Sequence, residues 1–337
     1  MVGTMTKESD ALAVYIVELN AKVQIYDLLS KSSLLSYLSV PSSGNDKVYW
    51  KRLFQLLRNA YPSHIIKSVV FKSSVEPYSG PKAKFMKKII ETGYEFGIDN
   101  INFATDLVIF LTSQLLLAKE AGKKYEIGDY VLVGKFLCSS NSTGQMHLLR
   151  KQEIGWDVMA GKAGFMTDFG FDGTAIFTRS CLDEFGININ QINSFIIAIH
   201  PLLKVTHNYD SIIKTLQMFF PVVEVSESEQ SCFLAGEYLS QVYSGEEYFN
   251  DYDCYVGNIC EYKFELEVNE SMIELPIQFK RLPCTAEQRI NWGACTNIKS
   301  FVSNGQFADS LLFNLKKSHD FTLKNINETV IIKVSID

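Results

Sequence analysis

The stretch from Phe195 to Val205, FIIAIHPLLKV, decides how this chain is read. Its opening run, FIIAI, is apolar throughout and rich in isoleucine, which predicts a buried parallel strand. Ligands of an open α/β sheet sit just beyond the carboxyl ends of such strands, and here that place is taken by His200-Pro201. Phosphates and sugars are usually met by glycine, because a residue without Cβ lets the backbone come close. Proline has no N–H to offer. The question is therefore what a His-Pro pair holds at the end of a ligand-facing strand.

Working outward, strands and helices alternate on both sides. KVYWKRLFQLLRNA (47–60) places Trp50, Leu53, Phe54, Leu57 and Ala60 on one helical face. IIKSVVF (65–71) predicts a strand, followed by a helix opened by Pro81, burying Phe85, Met86, Ile89 and Phe96 and stopped at Gly97. A strand near 98–103 and a helix over 104–121 complete a β-α-β-α pattern. YVLVGKFLC and QMHLLRKQEI, within 130–153, predict a hairpin joined by the polar turn SSNSTG. After it come a helix over 174–185, the strand of the opening stretch, a helix over 210–220, the strand PVVEV, and a last helix starting at Ser228, a good N-cap. Gly236 in mid-helix costs about 1 kcal/mol relative to alanine, which marks close packing of another backbone against that face. EEYFNDYD is acidic and turn-like, and from Cys254 onward YKFELEV, LPIQFKRL, SLLFNLKK and TVIIKVSI read as strands. The expected division is a first lobe over 1–125, a second over 126–245, an acidic linker at 246–253 and a β domain over 254–337.

Composition narrows the function. With 47% apolar and 21% charged residues, 337 residues suffice for two or three folded domains. A net charge of −6, with no basic aromatic-laced patch, argues against direct nucleic-acid binding. The first residues lack the apolar core of a signal peptide, and the longest apolar stretch, Leu107 to Ala118, is interrupted by Thr112, Ser113 and Gln114, so a cytoplasmic protein without membrane attachment is expected. Seven scattered cysteines without a CxxC pair indicate thiols in a reducing compartment, with neither a disulfide framework nor a zinc site. TDFGFDG, holding Asp168 and Asp172, invites comparison with a kinase metal loop, yet no paired glycine-rich loop or HRD pattern accompanies it, and it is read as a turn between hairpin and helix.

The order of these pieces resembles the seventy-kilodalton heat-shock chaperone family. SVVFKSSVEPYSGPKAKFMKKIIETGYEFGIDNIN is similar to the strand, turn and helix leading into the second half of that family's first lobe. INSFIIAIHPLLKV with YDSIIKTLQMFFPVVEV resembles its adenosine-loop region, and SESEQSCFLAGEYLSQVYSG its final ATPase helix. MIELPIQFKRLPCTAEQRINW looks like the opening of the substrate-binding β domain, and the absence of a helical lid resembles the short ribosome-associated branch. The resemblance implies an α/β fold of actin-like (ribonuclease H-like) type: a two-lobed core, here too short for the peripheral subdomains, followed by a small all-β domain.

The resemblance also implies where nucleotide would bind. The first phosphate hairpin falls on AVYIVELNAKVQIYDL, where Glu18-Leu19 is a faint echo without glycine. The second falls on VLVGKFLCSSNST, with one glycine, Gly134, before Lys135. Phe103-Ala104 stands where the family has Glu-Pro, and His200-Pro201-Leu202-Leu203 replaces its Gly-rich adenosine loop, with Lys204 next to it. Glu18, Gly134, Lys135, His200 and Lys204 are thus the positions of a degenerate nucleotide site. His200-Pro201 is expected to close a strand at a former site and hold nothing. No catalytic residue and no metal ligand is assigned, and no cofactor is expected, ATP with magnesium being what the family would bring. The expected activity is that of a heat-shock-seventy-like chaperone or co-chaperone without ATP hydrolysis, contacting proteins or unfolded peptides, with a J-domain or ribosome-associated co-chaperone as the partner the resemblance suggests. The alternative is an ATP-regulated chaperone with diverged nucleotide loops; a third reading is a small-molecule kinase using Asp168 or Asp172.

Overall fold

In a computed structural model of the chain, residues 10–17, 22–36, 46–73, 80–137, 143–166, 171–199, 209–226, 229–268, 271–291, 298–304, 307–313, 324–326 and 329–336 are described. They form two compact units: Met1–Leu117 with Ser228–Tyr255, and Ala118–Glu227 with Val256–Asp337.

In the first unit, β1 (Ala11–Val17), β2 (Lys22–Asp27) and β3 (Ser32–Ser36) form an antiparallel meander, and β4 (Ile65–Ser73) and β5 (Ile101–Thr105) add in parallel beside β1, giving the order β3-β2-β1-β4-β5. α1 (Asp46–Ala60) and α2 (Gly80–Glu95) connect the later strands, and α3 (Asp106–Glu120) follows β5. Trp50, Leu53, Phe54 and Leu57 recur at helical spacing because they form α1's buried face, against Leu12, Val14, Ile16, Ile25, Val69 and Phe71. Ala60, read as part of that face, is exposed. Arg58 ends α1 by donating to the carbonyls of His64, Phe96 and Gly97 at 2.8–3.1 Å, a fork that ties it to the turn after α2. Gly97 there has φ +67°, the left-handed conformation of a helix stop.

The opposite face of this sheet takes α6 (Glu229–Val242), the helix that carries Gly236. It docks through small and polar residues. The Ser68 hydroxyl donates to Ser240 O, and the Asn100 amide donates to Lys67 O at 3.0 Å and Tyr243 O at 2.6 Å. Gly236 faces the buried Tyr15 ring, so the close approach inferred for this glycine is real but made by a ring rather than by a backbone. Its neighbour Glu237 accepts from Gln24 Nε2 at 2.5 Å and Ser33 Oγ at 3.0 Å.

Burial pushes the Glu237 carboxyl above the usual carboxylate range, against the opposing pull of those two donors. The native carboxyl therefore keeps its proton to a higher pH than the unfolded one, and this group's contribution is most favourable at low pH and is lost as pH rises from the ordinary carboxylate range toward neutrality. Glu237→Gln, which keeps an acceptor for both donors, should melt at pH 7 no lower than the parent and should lack this rise in stability on acidification. Melting curves at pH 5 and 7 check it; a lower melting temperature for the variant at pH 7 would show that the charge holds the contact.

The second unit repeats the topology. β6 (Tyr130–Leu137), β7 (Thr143–Lys151) and β8 (Trp156–Phe165) form the meander, and β9 (Ile192–Ile199) and β10 (Val222–Ser226) add in parallel beside β6, giving β10-β9-β6-β7-β8. α4 (Phe171–Phe185) and α5 (Tyr209–Leu216) pack their apolar faces on Leu132, Phe136, Met146 and Phe195. The strand expected over 195–199 is β9, fully buried from Phe195 to Ala198 and parallel to both its neighbours. The predicted hairpin is in fact a three-stranded meander, because residues 156–165, not read as a strand, pair with β7 along their length. WDVMAGKAGF hides this by placing glycines where side chains should alternate. At Gly161 the missing Cβ leaves room for His147 of β7 and for Phe279.

After residue 256 the described strands form two antiparallel sheets, ordered β12-β11-β14-β15 and β13-β17-β16. Their members are β11 (Tyr262–Val268), β12 (Ser271–Leu275), β13 (Cys284–Asn291), β14 (Ile298–Asn304), β15 (Phe307–Phe313), β16 (Lys324–Ile326) and β17 (Thr329–Ile336). LPIQFKRL, expected as a strand, is one only at Leu275. Pro276–Phe279 is a turn, closed by Lys280 N donating to Ile277 O at 3.1 Å, with Phe279 at φ +61°. Tertiary docking overrides the alternating pattern: Phe279 stands edge-on to His147, and Arg281 bonds Asp157 Oδ1 at 2.8 Å and the carbonyls of Ile154 and Trp156. No helix among the described residues is long and apolar enough to cross a membrane.

Candidate functional site

Each unit presents the carboxyl ends of three parallel strands, the place where a fold of this kind holds ligands. In the first unit the register aligns Val17, Lys72 and Ala104 on β1, β4 and β5. Glu18 follows Val17 directly and lies outside the described residues. The polar groups at this end are ones that sequence reasoning did not single out. Lys72 Nζ lies 2.9 Å from Asp106 Oδ1, and the Thr105 hydroxyl accepts from Val108 N at 3.2 Å, capping α3. A lysine at the end of VVFK and a Thr-Asp pair opening a helix were the available signals. Phe103 stacks on Phe71 with ring centroids 5.6 Å apart and extends the core beneath α1.

In the second unit, β6 and β9 run side by side with Gly134 opposite Ile197, Lys135 opposite Ala198 and Phe136 opposite Ile199. Gly134 and Lys135 therefore lie on the neighbour of the strand that leads into His200, at one end of one sheet. His200 and Lys204, like Asp168, lie outside the described residues, while Asp172 is exposed in the first turn of α4. Lys135 is half-buried, paired also with Gln145 of β7. Gly134 is buried within the ladder between Met146 and Ile197, and a Cβ there would stand 2.8 Å from the Phe195 ring and 3.4 Å from that of Phe136. The space that a phosphate-wrapping glycine would leave open is thus filled by aromatic carbon.

One further titratable group lies deep in this sheet. His147, on β7, is 3% exposed, and its Nδ1 has no hydrogen-bond partner among the described residues. Burial holds its pKa down to about 4, so the imidazole is neutral. Among the described residues its ring stands against Gly161 and edge-on to Phe279. No cluster of His, Cys, Asp or Glu among the described residues has the geometry to hold a metal ion. Aromatic carbon fills the side-chain space at Gly134, and Phe103 packs against the core of its own unit.

No known family profile matches the chain, and no curated protein matches it. Among solved structures it is similar to YeaZ from Pseudomonas aeruginosa, with 11% identity over 73% of this chain and 98% of that one at a TM-score of 0.30. It is also similar to the Aquifex aeolicus member of the Ppx/GppA family, with 9% identity over 71% of this chain and 90% of that one at a TM-score of 0.31. At such scores the fold class stands on the two sheets themselves. The protein is a mixed α/β chain whose two five-stranded sheets share one topology.

Proposed function

We propose that this protein is a divergent heat-shock-seventy-like chaperone or co-chaperone of the cytoplasm that has lost ATP hydrolysis and works by holding protein partners or extended peptides. The observation that carries this reading is the filling of Gly134's side-chain space by Phe195, on the strand pair where the second phosphate hairpin would begin. Phosphoryl transfer is positioning and charge neutralisation around metal-bound phosphate, and aromatic carbon supplies neither. Short connections support the same reading. Only nine residues separate β3 from α1 and five separate β8 from α4, where peripheral subdomains would supply the upper walls of a cleft. Peptide recognition would fall to the strands after residue 256 through backbone pairing and side-chain pockets, with a J-domain or ribosome-associated protein as a candidate partner.

A second reading, an ATP-regulated chaperone with diverged loops, is favoured by one feature: Lys72 and Lys135 place a cation at the carboxyl end of each sheet. Calorimetric titration with Mg-ATP and Mg-ADP, beside fluorescence anisotropy of a labelled apolar heptapeptide, separates the two. The first reading expects saturable peptide binding, no nucleotide heat and no change in melting temperature with nucleotide added to millimolar levels. A concentration-dependent rise in melting temperature, as linkage requires of a bound ligand, would overturn it in favour of the second. Absence of peptide binding would remove both.

A further inference from the structure

The turn between β12 and β13, residues 276–282, folds back onto β7 and β8. Gly161 of β8 pairs with His147 of β7, and a Cβ on this glycine would stand 2.6 Å from both His147 Cδ2 and Phe279 Cζ, so its missing side chain admits the two rings together. The rings meet edge-on with centroids 6.2 Å apart. Phe279 reaches this seat at φ +61°, a conformation that a residue with a large side chain keeps only where its surroundings over-determine it. Polar contacts pin the turn on both sides. Arg281 Nε lies 2.8 Å from Asp157 Oδ1, and Arg281 Nη2 donates to the carbonyls of Ile154 at 3.0 Å and Trp156 at 3.1 Å. Cys260 N donates to Lys280 O at 2.9 Å, Phe279 N to Cys260 O at 2.6 Å and Leu282 N to Asn258 O at 2.9 Å, which joins the turn to the segment that enters β11.

We propose that this turn is a proton-released latch: closed over a neutral His147, it holds the chain between β12 and β13 on the second sheet, and protonation of that imidazole opens it while the sheet stays folded. The charged residues on the described elements around the ring are Lys135 on β6, Arg150 and Lys151 on β7, Asp157 and Lys162 on β8, and Lys280 and Arg281 on the turn. Cations predominate. The one carboxylate of this set, Asp157, is engaged by Arg281, and Lys162 is engaged by Glu184 of α4. A proton on the latched ring would therefore place a charge in buried space beside these cations, with no uncommitted carboxylate of the set to answer it. Opening carries the ring into water, where it titrates at its ordinary value. The latch is thus fully held above the ordinary imidazole range and loosens as pH falls through it. It stands independently of what the strands after residue 256 bind.

The test uses the full chain and follows hydrogen exchange of the Cys260, Phe279 and Leu282 amides, with the Ile196 and Ile197 amides of β9 reporting unfolding of the sheet. Protection factors, which remove the acid slowing of exchange itself, are compared at pH 7 and pH 5. An imidazole held to about 4 when latched, and free to titrate near 6.5 when open, makes opening about 20-fold more frequent at pH 5 than at pH 7. Protection of the latch amides should fall by that factor and should lie below that of β9 at each pH. His147→Leu should hold their protection level between the two pH values. Asp157→Asn, which weakens the Arg281 contact and leaves the imidazole in place, should still show the fall. Protection that does not change with pH, that equals the protection of β9 at both pH values, or that still falls in His147→Leu would overturn the proposal. The profile of the unmodified sequence decides the question even where a variant fails to fold.

Discussion

Gly236→Ala should lower the melting temperature by about 4 °C, corresponding to a loss of about 3 kcal/mol in a chain of this size. Helix propensity alone predicts the reverse, since alanine in mid-helix is favoured over glycine by about 1 kcal/mol. The added methyl, however, would stand inside the van der Waals surface of the Tyr15 ring, against Cδ2, Cε2 and Cζ. That ring cannot move aside. Tyr15 is 1% exposed, lies in the middle strand of its sheet, and meets Phe233 edge-on with centroids 6.1 Å apart. Pairing Gly236→Ala with Tyr15→Leu should recover part of the loss, so that the two changes together cost less than the sum of each alone. Thermal or urea denaturation of the two single variants and the double variant measures this. Additive losses would mean that α6 yields in some way other than against Tyr15.

Acidification from pH 7 to pH 4 should cost about 3 kcal/mol through His147 alone, as a pKa held down to about 4 against an ordinary 6.5 requires. The unfolded imidazole takes up a proton near pH 6.5 while the native one stays neutral. Stability from this group is therefore complete above pH 6.5, declines as pH falls toward 4, and is already spent below it. His147→Leu removes the titration, so the urea midpoint of the variant should fall less than the parent's between pH 7 and pH 5. Glu237 works in the opposite direction over the carboxylate range, and the variants at the two positions separate these contributions. Equal acid sensitivity in parent and His147→Leu would mean that water reaches the ring.

Elements whose pattern is set by one dominant contact are legible from local periodicity. KVYWKRLFQLLRNA is α1 within a residue because Trp50, Leu53, Phe54 and Leu57 face a single sheet. FIIAI is the core of β9 because a strand flanked by parallel neighbours and covered on its faces must be apolar at successive positions. The misses share a cause. β8 shows no alternation because His147, Phe279 and Phe177 occupy the positions where its own side chains and those of its neighbour Gly144 would stand. LPIQFKRL alternates yet turns, because Arg281 and Phe279 find partners on β7 and β8 that no local pattern announces.

The candidate site divides in the same way. Gly134 and Lys135 could be named from the sequence, but their position beside the strand entering His200 follows from the register of β6 against β9. Lys72 and Asp106, far apart along the chain, meet only through the pairing of β4 with β5. By itself the sequence determined the alternation of strands and helices and the apolar faces, since these depend on local periodicity and chain stiffness. Tertiary structure alone decided that Gly134 makes room for Phe195 and that Gly236 makes room for Tyr15. Each is a matter of which distant group occupies a volume, and close packing sets that only once the sheets have paired.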